Sequence, residues 1–204
     1  MKTLSRLFIV VFLVAGFAAA AQQTKKFTVL IDVAHGGKDT GVQIDGQTEK
    51  DLTASIAAEL KAVSGEDIAI YFTREEDKFV TLQERVAAIN NLKPDMVLSL
   101  HLNGTPNKEK YGMEFFVPED NSAIHSQSRI YADLLSVHFA KKNYTVTGVK
   151  EAPMYILKHS QYPVVLCELG YLTNANDRTY LTNTQKQKEI AATLLDFIKQ
   201  VKNG

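Results

Sequence analysis

The chain has 204 residues, 45% of them hydrophobic and 23% charged, with 23 basic and 23 acidic side chains that cancel. That composition excludes a disordered or fibrous protein, and the lack of a concentrated basic face excludes nucleic acid as a partner. The one cysteine, Cys167, rules out an internal disulfide, so stability rests on packing.

The chain opens with Lys2 and Arg6, an apolar run from Leu7 to Phe17, and small residues Ala18 to Ala21. Basic start, short greasy core and small-residue exit form a secretory signal peptide, residues 1–21, with cleavage after Ala21. The apolar run falls short of the roughly 20 residues that span a bilayer, so a retained anchor is the weaker reading. No later stretch is apolar enough to span. The expected location is outside the cytoplasm, periplasmic or extracellular. Residues 22–204 carry no long repeat and no Pro- or Gly-rich linker, and are read as one domain.

Phe27 to Ile31 is a first strand that feeds Asp32 and a glycine-rich loop. Thr48 with Asp51 resembles a helix-capping pair, and Leu52, Ile56 and Leu60 share the face of the helix that follows. Ile68 to Phe72 is a second strand. Thr81 and Glu84 make a capping box for a helix with the stripe Leu82, Val86, Ile89. Met96 to Leu100 is a third strand. This alternation predicts parallel strands with helical crossovers. Further on, Glu114 to Val117 reads as a strand, and Ser122 to Ala140 as a helix with the stripe Ile130, Leu134, Val137. Met154 to Leu157 reads as a short strand and Val164 to Glu168 as a firmer one. Asn174 caps a short helix reaching Leu181. Thr184 with Gln187 caps a last helix with Ile190, Leu194, Phe197 and Ile198 on its face. The predicted fold is an α/β three-layer domain: a mixed, mainly parallel β-sheet flanked by helices.

Three polar residues fall at strand ends: His35, His101 and Glu168. Ligands of open α/β sheets gather beyond such ends, and two imidazoles with a carboxylate suit zinc. Spacing alone leaves the third ligand open among Glu49, Glu168, Glu114 and Asp32. Cys167 should point away from Glu168, because neighbours on a strand face opposite ways. His125, His138 and His159 carry no pattern, although His138 adjoins an apolar helix stripe and His159 follows an apolar run.

Four segments resemble, in order, the motifs of the zinc-dependent N-acetylmuramoyl-L-alanine amidases. They are Ile31-Asp32-Val33-Ala34-His35-Gly36-Gly37-Lys38-Asp39-Thr40-Gly41, Thr48-Glu49-Lys50-Asp51-Leu52, Ser99-Leu100-His101-Leu102-Asn103 and Val165-Leu166-Cys167-Glu168-Leu169-Gly170-Tyr171. The resemblance covers roughly residues 26–200. It implies that His35, Glu49 and His101 bind one zinc ion and that Glu168 is the catalytic carboxylate. It implies peptidoglycan as substrate, cut at the amide between N-acetylmuramic acid and L-alanine. Alternatives are a related zinc peptidase cutting stem peptides, or a non-catalytic wall-binding module. Val33-Ala34, Leu102, Cys167 and Tyr171 depart from the usual family residues without removing any of these four.

Around them, Asp32 is expected to hold an imidazole or fix the loop, and Arg74 to make a structural salt bridge in preference to touching substrate. Asn103 is expected to orient substrate or cap its own loop, and Glu114 to contact substrate or end its strand. Some family members carry a long helix that blocks the cleft until a partner displaces it. Val117 to Ser122 leaves little room for one, so no obligatory activator is expected.

Overall fold

A computed structural model of the chain describes residues 26–65, 67–119 and 123–204; the expected signal peptide lies outside them. In chain order the strands and helices are β1 (Phe27–Val33), β2 (Gln43–Ile44), β3 (Gln47–Thr48), α1 (Glu49–Val63), β4 (Ile68–Phe72), α2 (Leu82–Leu92) and β5 (Met96–Asn103). They continue with β6 (Met113–Val117), α3 (Ala123–Lys141), β7 (Val146–Glu151), α4 (Tyr155–His159), β8 (Val164–Tyr171), α5 (Ala175–Leu181) and α6 (Thr184–Asn203).

Six strands form one sheet in the order β4-β1-β5-β8-β6-β7, and β2 pairs with β3 in a small hairpin. The pairs β4/β1, β1/β5, β5/β8 and β6/β7 are parallel, and only β8/β6 is antiparallel. The predicted mixed, mainly parallel sheet is therefore the one found. Strands β1, β5 and β8 are buried along nearly their whole length, because helices cover both faces. On one face α1, α3 and α6 enclose the larger core, which includes Ile56, Leu60, Phe115, Phe139, Leu194 and Phe197. Each of these fully buried side chains contributes about 1.5–3 kcal/mol by leaving water. On the other face α2 and α4 cover a smaller cluster around Leu30, Ile89, Val97, Ile156 and Leu166. His101 and Glu168 alternate with residues of the larger core and so face that thinner side.

Several local expectations fail for physical reasons. Met154 to Leu157 is not a strand but leads into the helix α4, with Ile156 and Leu157 both buried; a four-residue apolar run does not separate the two periods. Strand β7 is half-buried at the sheet edge and interrupted by Gly148, so no apolar alternation marks it. In α3 the buried stripe is Tyr131, Leu135 and Phe139, and Ile130 and Val137 are exposed. The N-cap of α6 is Asn183, which accepts from the Lys186 amide, one residue before the expected Thr184. In α2 the capping box on Thr81 and Glu84 is present, but Leu82 is 51% exposed and Arg85 is buried in its place.

Candidate metal centre

Strand β1 stays with the sheet for one residue beyond its end, where the Ala34 amide donates to the Leu100 carbonyl. The chain then reverses. His35 adopts φ 55°, a left-handed conformation uncommon for a residue with a side chain. The Arg85 guanidinium pins it, donating from Nη2 to the His35 carbonyl at 2.6 Å. Gly36 follows at φ 126°, and a Cβ there would lie 2.2 Å from the Lys78 carbonyl oxygen, so only glycine fits the turn.

Thr48 caps α1 by accepting from the Asp51 amide, and the first helical residue is Glu49. Its carboxylate is almost fully buried, yet every partner is polar. Oε2 lies 3.0 Å from His35 Nε2 and accepts from the Val42 amide at 3.0 Å. Oε1 lies 2.9 Å from His101 Nδ1 and accepts from the Leu102 amide at 3.0 Å. One ligand atom each from His35, Glu49 and His101 lies within 4.8 Å of the others, a set that could hold a metal ion.

The electrostatics follow from that packing. Burial opposes charge on all three groups, and hydrogen bonding between them overrides it. Glu49 is held far below the usual carboxylate range by His101 and His35. His35 is raised to about 9 by Glu49 and Asp39, and His101 is raised by Glu49 and Glu168. Such a cluster shares protons when empty of metal and must release them to bind one.

The surroundings suit an ion. Asp39 Oδ2 sits 2.9 Å from His35 Nδ1; with the proton on that nitrogen, the Nε2 lone pair faces the cluster. A Cβ on Gly41 would lie 2.4 Å from Glu49 Oε2 and 2.5 Å from His35 Cδ2, so the chain keeps this space clear.

Glu168 on β8 is the register partner of His101 on β5. Its Oε2 is buried and has no hydrogen-bond partner among the described residues. Burial foremost, helped by the Glu49 and Glu114 charges and opposed by the two histidines, raises this carboxyl to about 7. Glu114, its register partner on β6, behaves oppositely. It accepts from Tyr171 Oη at 2.9 Å, Asn103 Nδ2 at 3.2 Å and Lys150 Nζ at 2.5 Å. Burial pushes Glu114 up, but the bonds from Lys150 and Tyr171 outweigh it and keep it ionised. Two neighbouring carboxyls are thus driven to different proton occupancies, the pattern that separates acid–base roles.

The other sequence candidates take supporting places. Asp32 touches no imidazole. Its Oδ1 accepts from Arg85 Nη1 at 2.7 Å and Thr73 Oγ1 at 2.9 Å, and its Oδ2 from Ser99 Oγ at 2.6 Å. Arg74 is buried and makes no salt bridge among the described residues; it donates to the carbonyls of Val33, Ala34, Lys50 and Glu76. Asn103 links Glu114 to its own loop by accepting from the Gly104 amide. Cys167 faces the large core, and burial pushes its thiol far above the usual range. His138 packs edge-on against Phe197, and His159 is exposed against Tyr155.

Sequence reasoning missed Asp39 and Arg85. The second had a signal: Arg85 falls between Leu82 and Ile89 on the α2 stripe, where a charge needs a buried partner. A cavity of about 450 Å³ opens beside His35 and His101, between the start of α2 and α4. A second, of about 440 Å³ around Tyr111, Tyr144 and Tyr180, shares no residue with it and holds none of the three ligand candidates.

A family model described as N-acetylmuramoyl-L-alanine amidase matches residues 29–200. The chain is 32% identical over 185 residues to the uncharacterized protein YqiI of Bacillus subtilis, covering 89% of this chain and 87% of that one. Among solved structures, the N-acetylmuramoyl-L-alanine amidase of Clostridium difficile 630 superposes with a TM-score of 0.80 at 26% identity, over 86% of this chain and 96% of that one. The CwlD amidase of Clostridioides difficile, solved in complex with the GerS lipoprotein, gives 0.79 at 25% identity, over 86% and 98%.

Proposed function

This chain belongs to the N-acetylmuramoyl-L-alanine amidase family, and from that membership we propose that it is an exported enzyme using one zinc ion to cut the amide between N-acetylmuramic acid and L-alanine in peptidoglycan. Zinc dependence is a property of the family, and the cluster of two imidazoles and a carboxylate suits that ion. His35 Nε2, His101 Nδ1 and the Glu49 carboxylate would hold it. Zinc bound there supplies Lewis acidity, lowering the pKa of a water toward about 7 and polarising the scissile carbonyl.

The chain's own groups carry the proton. Glu168 accepts one from the attacking water and returns it to the amide nitrogen as the C–N bond breaks, leaving a lactyl carboxylate and a free alanine amine. A carboxyl raised to about 7 is suited to both steps near neutral pH. Asp39 keeps the His35 ring oriented, and Arg85 keeps its backbone in place. The observation that carries the reading is the unpartnered, buried Glu168 oxygen beside three converging metal-type ligands.

Residues 1–21 are the export signal in this reading, and residues 22–204 the catalytic domain. No helix among the described residues is long and apolar enough to cross a membrane. CwlD is seen with a lipoprotein partner, whereas the short connection from Val117 to Ala123 supports an enzyme here whose cleft needs no activator. Digestion of purified sacculi by residues 22–204 with added zinc tests this. Intact stem peptides in the mass spectrum are expected from the protein alone. Fragmented stems would indicate a peptidase, affinity without release a binding module, and release only with a second protein an activated enzyme.

A further inference from the structure

Two of the three ligand candidates stand on regular elements: His101 lies within β5, inside the sheet, and Glu49 opens α1. His35 lies on an irregular turn, so its distance from Glu49 depends on what fastens that turn to the helix. Residues 73–81, the irregular segment between β4 and α2, supply the fastening. Lys50, the second residue of α1, donates from Nζ to the Gly37 carbonyl at 3.0 Å and to Asp77 Oδ2 at 2.7 Å. Asp77 Oδ1 accepts from the Gly37 amide at 2.7 Å. The three residues close a ring that takes up both backbone groups of Gly37, two positions after His35.

Polar bonds, more than apolar packing, hold this segment to α1. A space of about 250 Å³ lies between them, lined by Ala54, Ala57 and Ala58 of the helix and by Arg74 and Glu75 of the segment. Lys61, about three turns beyond Lys50 on the same face of α1, pairs with Glu75. From the buried side Arg74 donates to the Val33 and Ala34 carbonyls, just before His35, and to the Lys50 carbonyl. The Lys50 ammonium, and after it the Gly37 amide, holds the Asp77 carboxyl below its ordinary 3.8, so it is charged at neutral pH. Asp77 is nevertheless 56% exposed and Lys50 14%. An ion pair so open to water adds little to folding; its effect is on geometry.

Resting on the reading of His35, Glu49 and His101 as zinc ligands, we infer that Asp77 is a positioning residue for the metal centre. By binding the Gly37 amide and the Lys50 ammonium together, it fixes the His35 turn against the helix start that carries Glu49. The left-handed conformation of His35 persists only where its surroundings over-determine it. Arg85 grips the His35 carbonyl itself, and Asp77 holds the chain two residues on. Without Asp77 the turn samples other positions, and a metal ion must order it on binding, which weakens affinity.

Three measurements on residues 22–204 test this: zinc binding by calorimetry, urea denaturation of the zinc-free protein, and the histidine ring resonances of the zinc-free protein. Asp77→Ala and Lys50→Met are each expected to weaken zinc binding roughly tenfold. Both should leave the urea midpoint nearly unmoved, and shift or broaden the His35 ring resonances more than those of His101. Lys50→Arg, which can still bridge Asp77 and the Gly37 carbonyl, is expected to keep most of the affinity. The double variant should bind zinc no more weakly than the worse single one, since the ring acts as a unit. Should Asp77→Ala disturb the fold, Asp77→Asn carries the same test with a smaller loss expected, because it keeps an acceptor for the Gly37 amide. Normal zinc affinity in these variants, additive losses in the double one, or His101 resonances that move as far as those of His35 would overturn the assignment. Failure of the zinc reading shows separately, as a parent protein that binds no zinc; the His35 resonances of Asp77→Ala then decide the positioning role.

Discussion

Replacing Arg85 by leucine isolates the support beneath the metal centre. Arg85 and Asp32 form a buried ion pair at 2.7 Å, with side-chain exposures of 5% and 2%. The guanidinium also donates to the Val33 and His35 carbonyls, each at 2.6 Å. Arg85→Leu strands the Asp32 carboxylate in the interior with only Thr73 and Ser99. Breaking a buried pair in this way costs about 3–5 kcal/mol, a large share of the roughly 5–15 kcal/mol that holds a domain folded. The pH dependence follows from the Asp32 carboxyl. Burial pushes it up, but Arg85 and the hydrogen bonds from Ser99 and Arg85 hold it below its ordinary 3.8. Its contribution is therefore complete above that ordinary value and is lost as pH falls through the lower folded one. Without Arg85, burial wins and the carboxyl rises, so acid neutralises the stranded charge. The deficit of Arg85→Leu should be greatest near neutrality and shrink toward about pH 5. Urea denaturation of both proteins across that range measures it. Asp32→Asn added to Arg85→Leu should recover at least half of the loss. A deficit below about 1 kcal/mol, or one that ignores pH, would refute the reasoning.

Three further outcomes test the centre itself. Gly41→Ala should reduce zinc affinity at least tenfold by calorimetry, since its Cβ would press on Glu49 and His35 and the residue sits at φ 61°; unchanged affinity would mean that the space is not used. Glu168→Gln should bind zinc normally but lose about 10²–10⁴ in turnover on sacculi, and normal turnover would remove Glu168 from the chemistry. With His35 raised to about 9 and His101 also raised, zinc must displace protons at neutral pH. Apparent affinity should therefore climb from neutrality toward pH 9, with protons released on binding in two buffers of different ionisation enthalpy; a flat profile would contradict the proton-sharing cluster.

The order of elements was legible wherever the chain repeats a clear period or carries a cap. Leu52, Ile56 and Leu60 mark the buried face of α1, and Thr81 with Glu84 begins α2. Short or edge segments were not legible, because β7 pairs along the sheet edge without an apolar pattern and α4 is too short to show one. The buried face of α3 was misread because Ile130 and Val137 follow a helical period as well as Tyr131 and Leu135 do, and only the packed neighbours choose between them.

By itself the sequence determined the fold class and set His35, His101 and Glu168 at predicted strand ends, and the resemblance in motif order added Glu49, since residue type, motif order and strand-end position are properties of the chain. Only the tertiary structure brought the first three within 4.8 Å and set Glu168 in register with His101. It alone turned Arg85 inward to Asp32, gave Asp39 to His35, and left Phe79, Leu82 and Tyr155 around one cavity. Those relations join residues far apart in the chain or on irregular loops. Their energies depend on distance and burial, which no local pattern records.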